Sequence, residues 1–264
     1  NWGIGPKPAN CPSCPNDEDS DDSSPLIGPY NSKYESVFLC NNYHYSSVPE
    51  HIAVNTTWGS AVFRNNAKAL RVGHYAYHDP VTGNEANYNS WFRNCTFTID
   101  QDYAGDTVFH SHISLDGANG VAFYGCGFSA DRGVDGGSPK CSGIDAYNAR
   151  FSVNDYCNSE ILPCPEGATA RSSFSGFHKG INAVGDGLQV TMPMVYNSDF
   201  TANDIGFYCR ATGFAIMVGN TVAMGDDADC SIGLYANGVT GLTVEENDFH
   251  TPAGNSANTD TYGA

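Results

Sequence analysis

One short pattern recurs seven times in this chain and limits the folds that the chain can adopt. The pattern is a small or polar residue, two variable residues, a large apolar residue and then, in most copies, Ser or Thr. The large apolar residues of the seven copies are Phe97, Phe128, Phe151, Phe174, Phe200, Val222 and Phe249. Successive copies are 31, 23, 23, 26, 22 and 27 residues apart. A repeat of this length indicates supersecondary units that stack on one another.

A second pattern, a glycine followed by alternating apolar residues, precedes most of these copies. It begins at Gly120, Gly143, Gly180, Gly206 and Gly233. Alternation with a period of two, bounded by Gly, Asn or Asp, predicts short strands with one buried face. No helical pattern separates the strands, so they cannot be the strands of βαβ units. We therefore predict an all-β parallel β-helix with coils of about 22–31 residues, in which the recurring Phe side chains stack in an internal ladder. A β-sandwich is the alternative, but it is expected to show hairpin turns every 8–12 residues and no coil-length period.

The pattern divides the chain into four predicted parts. Residues 1–29 form an acidic, Pro-rich tail or linker, residues 30–90 a cap and first coils, residues 91–252 the β-helix coils, and residues 253–264 a tail. The acidic cluster of the first part is too polar to pack into a core. Its carboxylates are also hard oxygen ligands, so calcium is the one candidate cofactor, although the cluster lacks the Gly and the distal Glu of an EF-hand. The candidate ligands are Asp17, Asp19, Asp21 and Asp22.

Charge and cysteine content indicate an extracellular or cell-surface protein. The net charge of −17 makes binding to nucleic acid or to an anionic membrane unfavourable. No apolar stretch approaches the length of about 18 residues that a membrane span needs. The first residue is Asn1 rather than Met, so we expect a processed or excised product. Ten cysteines indicate disulfide bonds formed in an oxidising compartment.

The pairing of these cysteines stays open at this stage. Cys11 with Cys14 and Cys157 with Cys164 are spaced to close local loops, and Cys126 with Cys141 to pin an insertion. A zinc site is the weaker alternative, because a single C-x-x-C is present without a second one at the required spacing. The disulfide candidates are Cys11, Cys14, Cys40, Cys95, Cys126, Cys141, Cys157, Cys164, Cys209 and Cys230.

The repeats resemble those of the right-handed β-helix proteins of the pectate-lyase-like superfamily, in particular surface proteins that bacteria of the type IX secretion kind export. The resemblance is carried by the Phe-containing copies and by the segments 143–147, 204–208 and 238–247, and it covers about residues 90–250. It implies a right-handed helix. It implies no single activity, because this architecture serves lyases, hydrolases, adhesins and passive stalks. For the same bacterial group, Thr107 resembles an acceptor of O-linked glycans.

No catalytic set emerges from the residues. Asp226 and Asp227 match one part of a polygalacturonase-type carboxylate group, but the companion motifs are missing and an acidic turn is the simpler interpretation. A calcium-dependent lyase would need carboxylates with a basic residue, and Asp131, Arg132, Asp135 and Asp145 are the candidates. His110 and His112 are expected to face one side of a strand, as a solvated pair or a metal site. An enzyme is therefore not favoured.

Three functions remain. The first is a non-enzymatic structural or adhesive protein, including a subunit of an extracellular filament that self-associates head to tail. The second is a module that binds surface glycans through exposed aromatic rings, and the third is a polysaccharide lyase or hydrolase. The candidate stacking residues are Trp58, Tyr75, Tyr77 and Trp91.

Overall fold

The computed structural model describes the chain as strands joined by turns, without a helix among the described residues. The described ranges are 35–37, 53–54, 62–66, 68–73, 77–78, 85–86, 90–101, 110–131, 141–159, 163–187, 191–223, 231–250 and 261–262. Within these ranges, no helix has the length and apolar character required to cross a membrane.

Most strands belong to three parallel sheets. Sheet A contains β1 (Glu35–Val37), β4 (Lys68–Gly73), β9 (Ser111–Asp116), β12 (Ser142–Tyr147), β17 (Lys179–Val184), β20 (Ile205–Arg210), β23 (Ser231–Asn237) and β26 (Thr261–Tyr262). Sheet B contains β2 (Ala53–Val54), β7 (Ser90–Arg93), β10 (Asn119–Tyr124), β13 (Arg150–Asn154), β18 (Met192–Tyr196), β21 (Phe214–Val218) and β24 (Gly241–Glu245). Sheet C contains β3 (Val62–Arg64), β8 (Thr96–Ile99), β11 (Gly127–Ala130), β16 (Ser172–Ser175), β19 (Ser198–Thr201), β22 (Thr221–Ala223) and β25 (Asp248–His250).

The order of these strands confirms the predicted fold, a right-handed parallel β-helix. Each coil contributes one strand to sheet A, the next to sheet B and the last to sheet C. Seven coils are complete in this sense: coil 1 ends with β3, coil 2 with β8, coil 3 with β11, coil 4 with β16, coil 5 with β19, coil 6 with β22 and coil 7 with β25. Equivalent strands of successive coils pair in parallel, so a position in one coil lies beside the same position in the next.

A ladder of Phe rings fills the interior behind sheet C. The rings of Phe63, Phe97, Phe128, Phe174 and Phe200 stack in sequence, with centroid distances of 4.6, 4.8, 4.6 and 5.0 Å. These five side chains are at most 1% exposed. The register continues to Val222 and Phe249 in the last two coils. The predicted ladder is therefore confirmed for six of its seven residues.

The prediction that the seventh residue, Phe151, belongs to the ladder was wrong. Phe151 lies in sheet B, where it is the neighbour of Val121 and Pro193. The reason is an extra hairpin in coil 4, formed by β14 (Tyr156–Cys157) and β15 (Thr169–Ala170) between β13 and β16. The hairpin lengthens the distance between the ladder residues Phe128 and Phe174 to 46 residues, and Phe151 at its midpoint imitates an additional coil.

The hairpin contains the one disulfide bond among the described residues, between Cys157 and Cys164. This is one of the local pairs that the sequence offered. Cys95, Cys126 and Cys209 are buried free thiols, and no disulfide bond joins Cys126 to Cys141. The remaining candidates, Cys11, Cys14, Cys40 and Cys230, lie outside the described residues.

The corner between sheets B and C explains why two of these thiols are buried. Hydrogen-bonding side chains occupy the same corner position in successive coils, namely Cys95, Cys126, Ser172, Ser198, Asn220 and Asn247. The Ser198 hydroxyl donates to the carbonyl of Tyr196 at 2.9 Å, and the Cys95 thiol is 3.4 Å from the carbonyl of Arg93. The two cysteines thus occupy a position that other coils fill with a hydroxyl or an amide.

Candidate binding face on sheet A

The outer face of sheet A presents polar and aromatic side chains in rows along the helix axis. One row contains residues at the same register position in coils 2 to 7, namely Arg71, Ser114, Asp145, Asn182, Tyr208 and Tyr235. The intervening residues of these strands, such as Ile144 and Phe207, are buried. Because side chains alternate between the two faces of a strand, the whole row projects outward.

Two adjoining cavities make this face concave. The first has a volume of about 510 Å³, and the second has a volume of about 300 Å³. Lys68 and Asp145 line both, so the cavities form one continuous depression, which we call the sheet A groove. Its other lining residues are Arg71, His110, Ser111, Ser114, Leu115, Asp116, Ser142, Tyr147, His178, Lys179 and Asn182.

Hydrogen bonds hold the floor of the sheet A groove in place. The Lys179 ammonium donates to Asn182 Oδ1 at 3.2 Å, and Asn182 Nδ2 donates to Asp145 Oδ1 at 2.7 Å. Lys179 Nζ also lies 3.9 Å from the centre of the Tyr208 ring, which stacks on Tyr235 with a centroid distance of 4.8 Å. Partial burial lowers the pKa of Lys179; the Asp145 carboxylate opposes this shift and Arg210 adds to it.

The outer face of sheet A concentrates the few cations of an acidic chain. Eight of the 12 Lys and Arg residues lie in the described ranges, and four of these eight are Lys68, Arg71, Lys179 and Arg210 on this face. From β4 to β23, the strands of sheet A carry two carboxylates, Asp116 and Asp145. This face is therefore locally cationic although the chain has a net charge of −17.

The chain matches no protein-family model, no curated protein and no solved structure.

Of the aromatic residues proposed from the sequence, Tyr77 and Trp91 are described, and their strands do not belong to sheet A. Trp91 projects from sheet B, where the Arg93 guanidinium lies 5.1 Å from its ring centre. Tyr77 belongs to β5 (Tyr77–His78), which pairs with β6 (Glu85–Ala86) in a separate two-stranded sheet. Trp58 and Tyr75 lie outside the described residues, as do Asp17, Asp19, Asp21, Asp22 and Thr107.

The tyrosines of the groove region could have been found from the repeat itself. Asp145, Asn182, Tyr208 and Tyr235 each stand two residues after the glycine that opens the second pattern. Aligning the copies on that glycine places all four at one outward position. The signal lies in this alignment and not in any copy taken alone.

The expectation that His110 and His112 share a face was wrong. His110 is exposed, whereas His112 is 1% exposed and its Nε2 lies 2.9 Å from the carbonyl oxygen of Ser129. The strand enters the sheet at this point with Ser111, His112 and Ile113 all buried, so simple alternation fails. Among the described residues, no group of three or more His, Cys, Asp or Glu is arranged to hold a metal ion.

Of the candidate lyase and hydrolase residues, Asp131 and Asp145 are the two that the structure describes. Asp131 follows β11 at the end of sheet C, whereas Asp145 lies in sheet A. Arg132, Asp135, Asp226 and Asp227 are outside the described residues. The carboxylate that shares the groove with Asp145 is Asp116, which no motif in the sequence marks.

Proposed function

We propose that this protein is a non-enzymatic, adhesive β-helix of the cell exterior that binds an acidic glycan along the sheet A groove. The observation that carries the proposal is the coincidence, on one face, of the concave surface, the four cations and the stacked pair Tyr208 and Tyr235.

Each part of this face suits a part of a glycan. The exposed faces of sugar rings pack on aromatic rings, for which Tyr147, at 48% exposure, and Tyr235, which stacks on Tyr208, are the candidates. The Asn182 amide and the Asp145 carboxylate are hydrogen-bonding groups for sugar hydroxyls. The ammonium and guanidinium groups favour a ligand with carboxylate or sulfate substituents. The groove runs across successive coils, which suits an extended chain.

Placement outside the cell is part of the proposal. The Cys157–Cys164 bond and the ten cysteines of the chain support it, because disulfide bonds persist in oxidising compartments. The acidic surface elsewhere on the molecule supports solubility there.

The first test is a binding measurement with a panel of acidic glycans and their neutral counterparts. We expect Lys179→Met to weaken binding of the acidic glycan about tenfold, because it removes the cation and keeps the aliphatic stem. The matched control is Arg150→Met, which makes the same change of charge in sheet B. Titration calorimetry of both variants measures the difference. Equal losses in the two variants, or no binding of any glycan by the native chain, would contradict the proposal.

A second candidate function, glycoside hydrolysis, is favoured by one observation. Asp116 and Asp145 line the same part of the groove in adjacent coils, and their register places their Cα atoms about 8 Å apart, from a strand spacing of about 4.8 Å and a rise of about 3.3 Å per residue. Inverting glycosidases use two separated carboxylates, one as general acid and one as base. Release of new reducing ends from a bound glycan, abolished in Asp145→Asn, would assign this activity. If the glycan stays intact, hydrolysis is excluded and binding remains as the proposed function.

A further inference from the structure

The outer face of sheet B carries a second unusual surface, in coils 5 and 6. Its outward residues are all large and apolar or aromatic, whereas the residues between them, Pro193, Val195, Ala215 and Met217, are buried inside. Phe214 is 52% exposed. The six outward residues, which we call the sheet B patch, are Met192, Met194, Tyr196, Phe214, Ile216 and Val218.

The sheet B patch ends sharply at the coils on each side. In coil 4 the corresponding residues are Arg150, Ser152 and Asn154. In coil 7 they are Gly241, Thr243 and Glu245. Coils 4 to 7 of this face therefore carry one positive and one negative side chain, and the face is neutral on a chain whose net charge is −17. On sheet A, the polar groove is lined by residues of coils 2 to 5.

We propose that the sheet B patch binds the same patch of a second copy of this chain, forming a two-fold symmetric dimer. A two-fold axis along the strand direction places coil 5 of one copy on coil 6 of the other. Met194 then faces Ile216 of the second copy, and apolar side chains meet apolar side chains across both coils. Sheets commonly pack face to face at a small angle in this way, about 10 Å apart.

Charge supports a second copy as the occupant. The same axis places coil 4 on coil 7, so Arg150 comes near Gly241 and Glu245 comes near Asn154, and no like charges oppose each other. Two acidic chains repel through most of their surface, and a neutral face is where they can approach. The face that coils 4 to 7 present measures about 19 Å by about 17 Å, which is small for a stable interface. We therefore expect a reversible dimer with a dissociation constant in the micromolar range.

Sedimentation velocity of the full chain, from about 1 to about 500 µM, tests the dimer. We expect the native protein to shift reversibly from monomer to dimer, and Ile216→Lys to weaken the association by about a hundredfold or more. The control is Thr98→Lys, which places the same side chain on the outer face of sheet C and should leave the association unchanged. A native chain that stays monomeric, or a dimer that Ile216→Lys does not weaken, overturns the proposal.

A mixing experiment tests the two-fold arrangement itself. Met194→Glu and Ile216→Lys should each be monomeric alone, because each places two buried charges in its own dimer. Mixed together, they should form a heterodimer, because the new Glu faces the new Lys across one half and the native pair remains in the other. Absence of the heterodimer would overturn the arrangement. Circular dichroism of each variant shows whether it is folded, and neither measurement depends on glycan binding.

Discussion

His112 shows how strongly the interior of the helix constrains one residue. Its counterparts in the next four coils are Gly143, Gly180, Gly206 and Gly233. The imidazole packs edge-on against Phe177, with ring centroids 5.7 Å apart, and Nε2 lies within hydrogen-bond distance of the Ser129 carbonyl. Burial lowers the pKa of His112 from 6.5 to about 4, and the bond to Ser129 partly opposes the shift. The ring is therefore neutral at pH 7 and donates from Nε2.

This low pKa predicts an acid sensitivity. The unfolded chain binds a proton at His112 below about pH 6.5 and the folded chain only below about pH 4, so the free energy of unfolding falls as the pH drops through this window, by about 3 kcal/mol in total. Urea denaturation between about pH 4 and 7 measures it. We expect His112→Gln to flatten this dependence and His110→Gln, at an exposed position, to keep it. A parallel loss of slope in both variants would contradict the assignment.

At the residue scale, the sequence predicted the buried positions that recur from coil to coil, and it did not predict those that occur once. The ladder positions were found because a large apolar residue returns in nearly every coil. His112 stands where the four following coils have glycine and the preceding coil has Ala69, so no pattern marked it as buried.

At the element scale, the glycines of sheet A set the distance between the strands and the Phe ladder. A Cβ atom at Gly180 would lie 2.7 Å from the carbonyl oxygen of Gly206 and 2.8 Å from the ring of Phe200. A Cβ atom at Gly143, one coil earlier, would meet the two equivalent groups, the carbonyl oxygen of Gly180 and the ring of Phe174. Both obstacles belong to the packed interior and cannot move freely. Glycine is required at these positions because the next strand of sheet A and the Phe ladder approach too closely to leave room for a side chain.

We therefore expect Gly180→Ala to lower the free energy of unfolding by about 1–3 kcal/mol, as overpacking in a close-packed core does. The matched substitution is Gly127→Ala in sheet C, where the nearest atom to a new Cβ is Ser173 Oγ at 3.7 Å. That variant should change stability by less than about 0.5 kcal/mol. Urea titrations compare the two directly. Equal destabilisation would show that the loss of glycine, rather than the contact, determines the effect.

Strands and their faces were predictable because the alternation of apolar residues is local. Coil length was predictable only where corners are short. In coil 4 the spacing of 46 residues divides into two intervals of 23, and the sequence alone offered no means to tell an inserted hairpin from an extra coil.

At the scale of the whole molecule, the net charge of −17 acts on folding and on binding in opposite directions. Compaction brings like charges together, so added salt should stabilise the folded chain by screening their repulsion. The same salt should weaken the binding of an acidic glycan to the cationic sheet A groove. We expect the Tm to rise and the glycan affinity to fall between about 20 and about 300 mM NaCl. Thermal unfolding and calorimetry at matched salt concentrations measure both, and a Tm that falls with salt would contradict this account.

At this scale, the sequence predicted the fold but not the candidate site. The fold follows from the periodic pattern, and it was predicted. The row formed by Asp145, Asn182, Tyr208 and Tyr235, which starts in the sheet A groove, joins residues that are 37, 26 and 27 positions apart in the sequence. It becomes visible only when the register of the coils is known.

The hairpin of coil 4 shows where this helix accepts extra chain. Phe128 and Phe174 stack at 4.6 Å across it, as closely as any other pair of the ladder. The corner after β13 therefore tolerates an additional polypeptide whose length leaves the cross-section of the helix unchanged. A foreign peptide placed between Glu166 and Gly167, both exposed at the turn of the hairpin, would be presented to solvent beside the loop that the Cys157–Cys164 disulfide closes. The protein thereby offers a display scaffold with a rigid base.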